Sequence, residues 1–203
     1  MNYNQFSNLS CYEEFEIQSD LLGISKLGIL KEIGHKINDY YFFISNDGIF
    51  NWFDLKGNHV ENPGVLKEIK ERHILKNITK CVIPDSVTSI CVYSFYNCGS
   101  LISITIPNSV TFICAYSFYN CGSLISITIP NSVTIIGNWS FAYCGSLKEI
   151  IIPNSVASIG ENAFYECDSL KEVIFKGKTL DEVKQMKNYP FGIEDESIIK
   201  YEI

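Results

Sequence analysis

Leu147–Cys167 reads LKEIIIPNSVASIGENAFYEC. The same phrase stands 23 residues earlier as Leu124–Cys144, LISITIPNSVTIIGNWSFAYC, and once more before that as Leu101–Cys121, LISITIPNSVTFICAYSFYNC. Single positions keep the step along the chain: Pro84, Pro107, Pro130 and Pro153, then Cys98, Cys121, Cys144 and Cys167, then Phe95, Phe118, Phe141 and Phe164. Leu101, Leu124, Leu147 and Leu170 share it, as do Val87, Val110, Val133 and Val156. The copies Cys91–Ile113 and Cys114–Ile136 differ at only a few positions. A fixed period of roughly 20–29 residues marks a chain wound into stacked coils, each burying its apolar side against its neighbours.

The letters within one period predict the shape of a coil. Leu101, Ile104 and Ile106 fall on a short strand, where alternate side chains share a face. Pro107 ends that strand, since it brings no ladder donor and fixes φ. Val110, Ile113 and Phe118 then turn the coil and fill its interior. This phrase, L-x-x-I-x-I-P-x-S-V-T-x-I-G-x-x-A-F-x-x-C, resembles the BspA-type (Treponema pallidum-type) leucine-rich repeat over about residues 78–176. Cys91 and Cys114 depart from the motif where Gly137 and Gly160 keep it, and Ser94, Ser117 and Ser140 stand where Ala163 keeps it. The resemblance implies a parallel sheet, a right-handed arc and protein binding, and many such relatives are surface proteins. The expected fold is an α/β solenoid, a leucine-rich repeat with one short parallel strand per 23-residue coil, preceded by a small α+β N-terminal capping unit.

The expected organisation is an α+β unit over 1–75, a solenoid of about five coils over 76–177, and a C-terminal cap over 178–203. Caps protect the open core and sheet edges of a solenoid. Ser10-x-x-Glu13 predicts a helix start. Asp39–Ser45 and Ile49–Leu55 flank Asn46-Asp47-Gly48 and predict a hairpin. Pro63–Leu75 reads as a helix behind an Asn62 N-cap. Thr179–Lys187 reads as a helix with a Thr179/Glu182 capping box, and Ser197–Ile203 as a last strand.

Charge sharpens the picture. The 203 residues include 16 Lys and Arg and 23 Asp and Glu, for a net charge of −7. None of these, and no histidine, falls between Ser86 and Leu147. The net acidity gives no footprint for nucleic acid or anionic lipid. The neutral block is laced with Ser, Thr and Asn, which argues against a membrane span. The N-terminus lacks the basic and apolar regions of a secretory signal, so a cytoplasmic location is expected, with the cell surface as the alternative for a trimmed chain.

Catalysis has little to work with. His35, His59 and His73 lie before the repeats, so no general base serves a nucleophile inside them. No cofactor, no metal and no catalytic residue is expected. The eight cysteines include no C-x-x-C pair. Buried thiols are the leading reading, with disulfides between same-slot residues and a metal as the others. Strand parity then gives the candidate surface. If Ile104 and Ile106 face inward, the concave face presents two columns: Lys80, Ser103, Ser126, Glu149 and Glu172, and Val82, Thr105, Thr128, Ile151 and Ile174. Charge at the rim and none at the centre is how interfaces are composed, although a Thr/Ser/Ile ladder is also plain strand chemistry. Tyr93, Tyr116 and Trp139 share a slot on the convex side and form a second candidate surface, with ring stacking between coils as the plainer reading. Phe50, Trp52 and Phe53 of the hairpin offer a further contact. The function expected is a non-catalytic protein-binding module whose partner is another protein. An intracellular inhibitor or decoy, and a self-assembling structural or adhesin-like protein, are the other readings.

Overall fold

The computed structural model describes residues 35–37, 39–44, 48–65, 68–69 and 78–202. The predicted helix start at Ser10–Glu13 lies outside them. The repeats wind as a parallel β-solenoid with two strands per coil.

The Leu-x-x-Ile-x-Ile phrases give the first sheet. Its strands are β6 (Lys80–Val82), β8 (Ser103–Thr105), β10 (Ser126–Thr128), β12 (Glu149–Ile152) and β14 (Glu172–Lys176), closed by β15 (Ile199–Glu202). All neighbours are parallel, in the order β15-β14-β12-β10-β8-β6. The register is one coil per rung: Cys81 pairs with Ile104, Ile104 with Ile127, Ile127 with Ile150 and Ile150 with Val173.

A second sheet corrects the expectation of one strand per coil. The Ser-Val-Thr-x-Ile segments supply β7 (Ser89–Ile90), β9 (Phe112–Ile113), β11 (Ile135–Ile136) and β13 (Ser158–Ile159), with β5 (Glu68–Ile69) beside β7. Each strand is only two residues long. The chain bends before a third residue can pair, but the coil-to-coil registry satisfies these backbone groups just as it does in the first sheet. The third side of the coil is a run of turns and not a helix, so the α/β class is corrected to a β-solenoid with little helix. Here too the coils bond to each other: Phe95 N–H donates to Ser117 O at 2.7 Å, and Phe118 N–H to Ser140 O at 2.8 Å.

The core follows the period. Phe95, Phe118, Phe141 and Phe164 stack at 4.9, 5.2 and 5.8 Å with their planes within 12°. Beside them run the buried columns Val87–Val110–Val133–Val156 and Ile90–Ile113–Ile136–Ile159. The cysteine column is buried as well, and its thiols are put to use. Cys121, Cys144 and Cys167 donate to the carbonyls of Phe95, Phe118 and Phe141 at 3.1, 3.2 and 3.1 Å. None of the seven described cysteines is in a disulfide.

The two strands of the predicted hairpin pair, while residues 45–47 of its turn lie outside the described residues. β2 (Tyr40–Ile44) and β3 (Phe50–Asp54) pair antiparallel, flanked by β1 (His35–Ile37) and β4 (His59–Val60). Its tip meets the first coil. Gly48, at φ 87°, accepts from the Val82 N–H at 2.9 Å, and so pairs a donor on the edge strand β6. Of the helix predicted over Pro63–Leu75, residues 66–67 and 70–75 lie outside the described residues, and the described part is corrected. Asn62 does cap the Gly64 N–H at 3.0 Å, but Gly64 turns left-handed at φ 65°, and Glu68–Ile69 is extended in the second sheet. Pairing with β7 wins over local helix propensity there. At the other end α1 (Leu180–Lys184) carries the expected capping box, with Thr179 N–H donating to Glu182 at 2.7 Å, and it stops short of Lys187.

Candidate functional site

The outer face of the six-stranded sheet is set by parity. Ile104, Ile106, Ile127, Ile129, Ile150 and Ile152 point inward and are buried. The alternate residues point out. Lys80, Thr105, Ser126, Thr128, Glu149 and Glu172 are exposed, while Val82, Ser103, Ile151 and Ile174 are half-buried. Pairing brings the first column together as Lys80–Ser103–Ser126–Glu149–Glu172. In the second column, Val82 pairs with Thr105, and Thr128 with Ile151, which pairs in turn with Ile174.

A depression lies on this face, over β10 and β12, with a volume of about 570 Å³. Ser126, Thr128, Glu149 and Ile151 line it, together with Ile125 and Lys148 from the flank. Parity did not point to Asn131, Pro153 and Lys176, which complete the rim. They sit at strand ends, where the alternation stops. Lys176 pairs with Glu202 at 3.4 Å across the C-terminal edge; both side chains are more than half exposed, so this pair adds little stability. The groove is therefore neutral and partly apolar at one end, and carries both signs of charge at the other.

The second candidate surface is an aromatic ladder on the turn side. Tyr93 stacks on Tyr116 at 5.2 Å, and Tyr116 on Trp139 at 6.3 Å, with planes 24° and 3° apart. A parallel column, Tyr96 on Tyr119, stacks at 5.0 Å and 6°. Edge contacts bind in Tyr143 and Tyr165 at 5.2 to 5.6 Å. Desolvation within this cluster and the neighbouring tyrosines raise the Tyr119 phenol above its ordinary value, and Glu166 beside Tyr165 raises that one. Tyr93, Tyr116 and Trp139 all hold left-handed backbone, at φ 65°, 56° and 56°, as does Asn162 in the same slot at 52°. Asparagine tolerates this region; for an aromatic residue it costs about 1 kcal/mol or more.

The hairpin contact does not form as expected. Phe50, Trp52 and Phe53 are buried, Trp52 at 2% exposure, packed against Phe42 and Phe43 and not offered to a partner. Strand alternation would place Trp52 on one face and Phe53 on the other; both faces of this strand are covered, and alternation alone does not reveal that.

Among the described residues no group of three or more His, Cys, Asp and Glu side chains converges as metal ligands. Burial raises the Cys98 thiol to about 12 and pushes Cys81 and Cys167 well above the ordinary range, the opposite of an activated nucleophile. Among the described residues no helix is long and apolar enough to cross a membrane.

Comparison with known proteins agrees with this geometry. The leucine-rich repeat protein of T. pallidum is 33% identical over 53% of this chain and 51% of its own, with a TM-score of 0.50. A leucine rich cell surface protein of Faecalibacterium prausnitzii A2-165 is 25% identical over 77% of this chain and 43% of its own, with a TM-score of 0.57. A leucine-rich repeat protein of Eubacterium ventriosum, 22% identical over 72% of this chain and 44% of its own at a TM-score of 0.54, shares the fold. The chain spans about half the length of these relatives, or less. No curated protein matches it. The BspA type leucine rich repeat region matches residues 72–192 in six copies, well over half of the chain, and with the 23-residue register, the proline-ended strands and the stacked Phe and Cys columns it establishes that the chain belongs to the BspA-type leucine-rich repeat family.

Proposed function

We propose that this chain is a non-catalytic protein-binding module, and that its partner is a protein seated on the outer face of the six-stranded sheet. The observation that carries this reading is the groove over β10 and β12. It combines a depression, a neutral wall of Ser126 and Thr128 on β10, and a β12 wall where Ile151 stands among Lys148, Glu149 and Lys176. A protein surface loses little desolvation energy against such a neutral wall and gains orientation from the charged one. Ser126, Thr128, Glu149 and Ile151, the strand residues that line the groove, are held in parallel register, so this part of the surface is ordered before it binds.

Chemistry in place of binding has no support in the inventory. The repeat side chains bring no histidine, and the cysteine thiols near the core are held in their neutral form by burial. The test is capture with the groove filled. Thr128→Arg plants a long cation at its centre without touching the core, and it is expected to abolish partner capture. Capture at the wild-type level would reject the sheet face.

The proposed working compartment is reducing, because three thiols in the stack serve as hydrogen-bond donors and lose that role on oxidation. The F. prausnitzii relative is described as a cell surface protein, which gives the competing location. Fractionation of the native host decides between them: recovery in the cytosol is expected, and recovery with the envelope contradicts it.

A further inference from the structure

We propose that the aromatic ladder on the turn side is a self-association surface, and that its occupant is the same ladder on a second copy of this chain. The surface lies away from the sheet groove, so this inference stands apart from the binding role proposed above.

The backbone supplies the first argument. Three successive coils place Tyr93, Tyr116 and Trp139 at left-handed φ, where the next coil uses Asn162. The coil therefore accepts asparagine in that slot, and the aromatic residues are held there against the backbone's preference. Strain of this kind points towards a use for the side chain.

Charge supplies the second. The chain carries −7 overall, and no charged residue lies between Ser86 and Leu147. The rungs from Tyr93 to Tyr143 lie inside that block, so they bring no charge to repel a second copy. Among the described residues ten large apolar side chains are well exposed; seven lie in this block, and three of these, Val92, Tyr93 and Tyr143, are on the turn side.

Geometry supplies the third argument and selects the occupant. Within each column the ring faces are stacked on one another, so it is the ring edges that a partner meets. A saccharide, which stacks on ring faces, finds them covered. A ladder with the same rung spacing, 5.2 Å for Tyr93–Tyr116 and 5.0 Å for Tyr96–Tyr119, stays in step over several rungs when related by a two-fold axis. A partner without that period matches a single rung.

The experiment is sedimentation velocity on the full chain over a hundredfold range of concentration, at low and high sodium chloride. The variants are Trp139→Asn and Tyr143→Asn, each of which installs the residue type that another coil already uses in that left-handed slot, at Asn162 and at Asn97 and Asn120. Thr105→Arg on the sheet face is the control. The expected result is a dimer that tightens as salt screens the net charge, that each asparagine variant weakens about tenfold or more, and that Thr105→Arg leaves unchanged. Should circular dichroism show Trp139→Asn unfolded, Tyr143→Asn, at a side chain 38% exposed, carries the same reading. A chain that stays monomeric throughout, a dimer indifferent to the asparagine variants, or one that salt dissociates would overturn the proposal.

Discussion

The thiol of Cys144 donates a hydrogen bond to the carbonyl of Phe118, 3.2 Å away and one coil earlier in the chain. Cys121 and Cys167 make the same bond to Phe95 and Phe141. The cysteine slot thus does more than fill space with a small apolar side chain. It gives each coil a donor directed at the coil beneath it.

This predicts inert thiols in the native chain. Burial disfavours the thiolate, holding Cys98 at about 12 and raising Cys81 and Cys167, while the neighbouring Cys121 thiol, together with burial, raises Cys144. The corresponding groups of the unfolded chain titrate near 9.0. Above that pH the unfolded state releases protons that the folded state keeps, so stability is full below about pH 9 and falls as pH rises toward 12. Denaturant midpoints measured from pH 7 to 11 should decline at the alkaline end. Thiol titration should find most of the eight cysteines unreactive until the chain is unfolded.

The period makes the solenoid legible in the sequence. Leu101, Ile104, Ile106 and Pro107 each repeat 23 residues on in chemically demanding roles, so strand, strand end and core face could all be assigned. The second sheet was not legible, because a two-residue pair such as Phe112–Ile113 is too short to show alternation. The stretch after Pro63 misled for another reason: its N-cap bond is real, but Gly64 is left-handed and the pairing of Ile69 with Ile90 is a long-range choice. For the candidate site, parity assigned both columns of the sheet face correctly as outward. It could not show that those residues surround a groove, nor that Lys176 reaches its rim.

Gly137 and its neighbours in the same slot are not interchangeable. A Cβ on Gly137 would lie 2.4 Å from the Ala115 nitrogen and 2.5 Å from the Cys114 carbonyl carbon, both backbone atoms that cannot swing aside. Gly137→Cys should therefore destabilise by roughly 1–3 kcal/mol, although Cys91 and Cys114 occupy the equivalent positions of the two preceding coils. Urea unfolding of the variant measures this directly, and an unchanged midpoint would contradict the close approach.

Gly48 should be equally intolerant. A Cβ there would sit 2.7 Å from the Cys81 nitrogen, and its φ of 87° already disfavours any side chain. Gly48→Val is expected to pull the hairpin off β6 and leave the Val82 N–H unpaired. Hydrogen exchange should show faster exchange at Val82 with little change at Ile150, three coils away along the stack, where the effect has faded.

Phe118 is the inner rung of the phenylalanine stack, fully buried between Phe95 and Phe141. Phe118→Ala should cost about 3–5 kcal/mol, since rigid coils on both sides cannot close the cavity. Phe118→Leu should recover part of that loss. Thermal or denaturant melts of the three proteins give the comparison, and equal melts for Ala and Leu would argue that the column is not close-packed.

The most direct test of the binding claim is affinity capture from the native host with three versions of the chain: unaltered, Thr128→Arg and Trp139→Asn. The account predicts a protein partner retained by the unaltered chain and by Trp139→Asn, and lost with Thr128→Arg. A partner that Thr128→Arg retains at the wild-type level, or that no version captures, would contradict it.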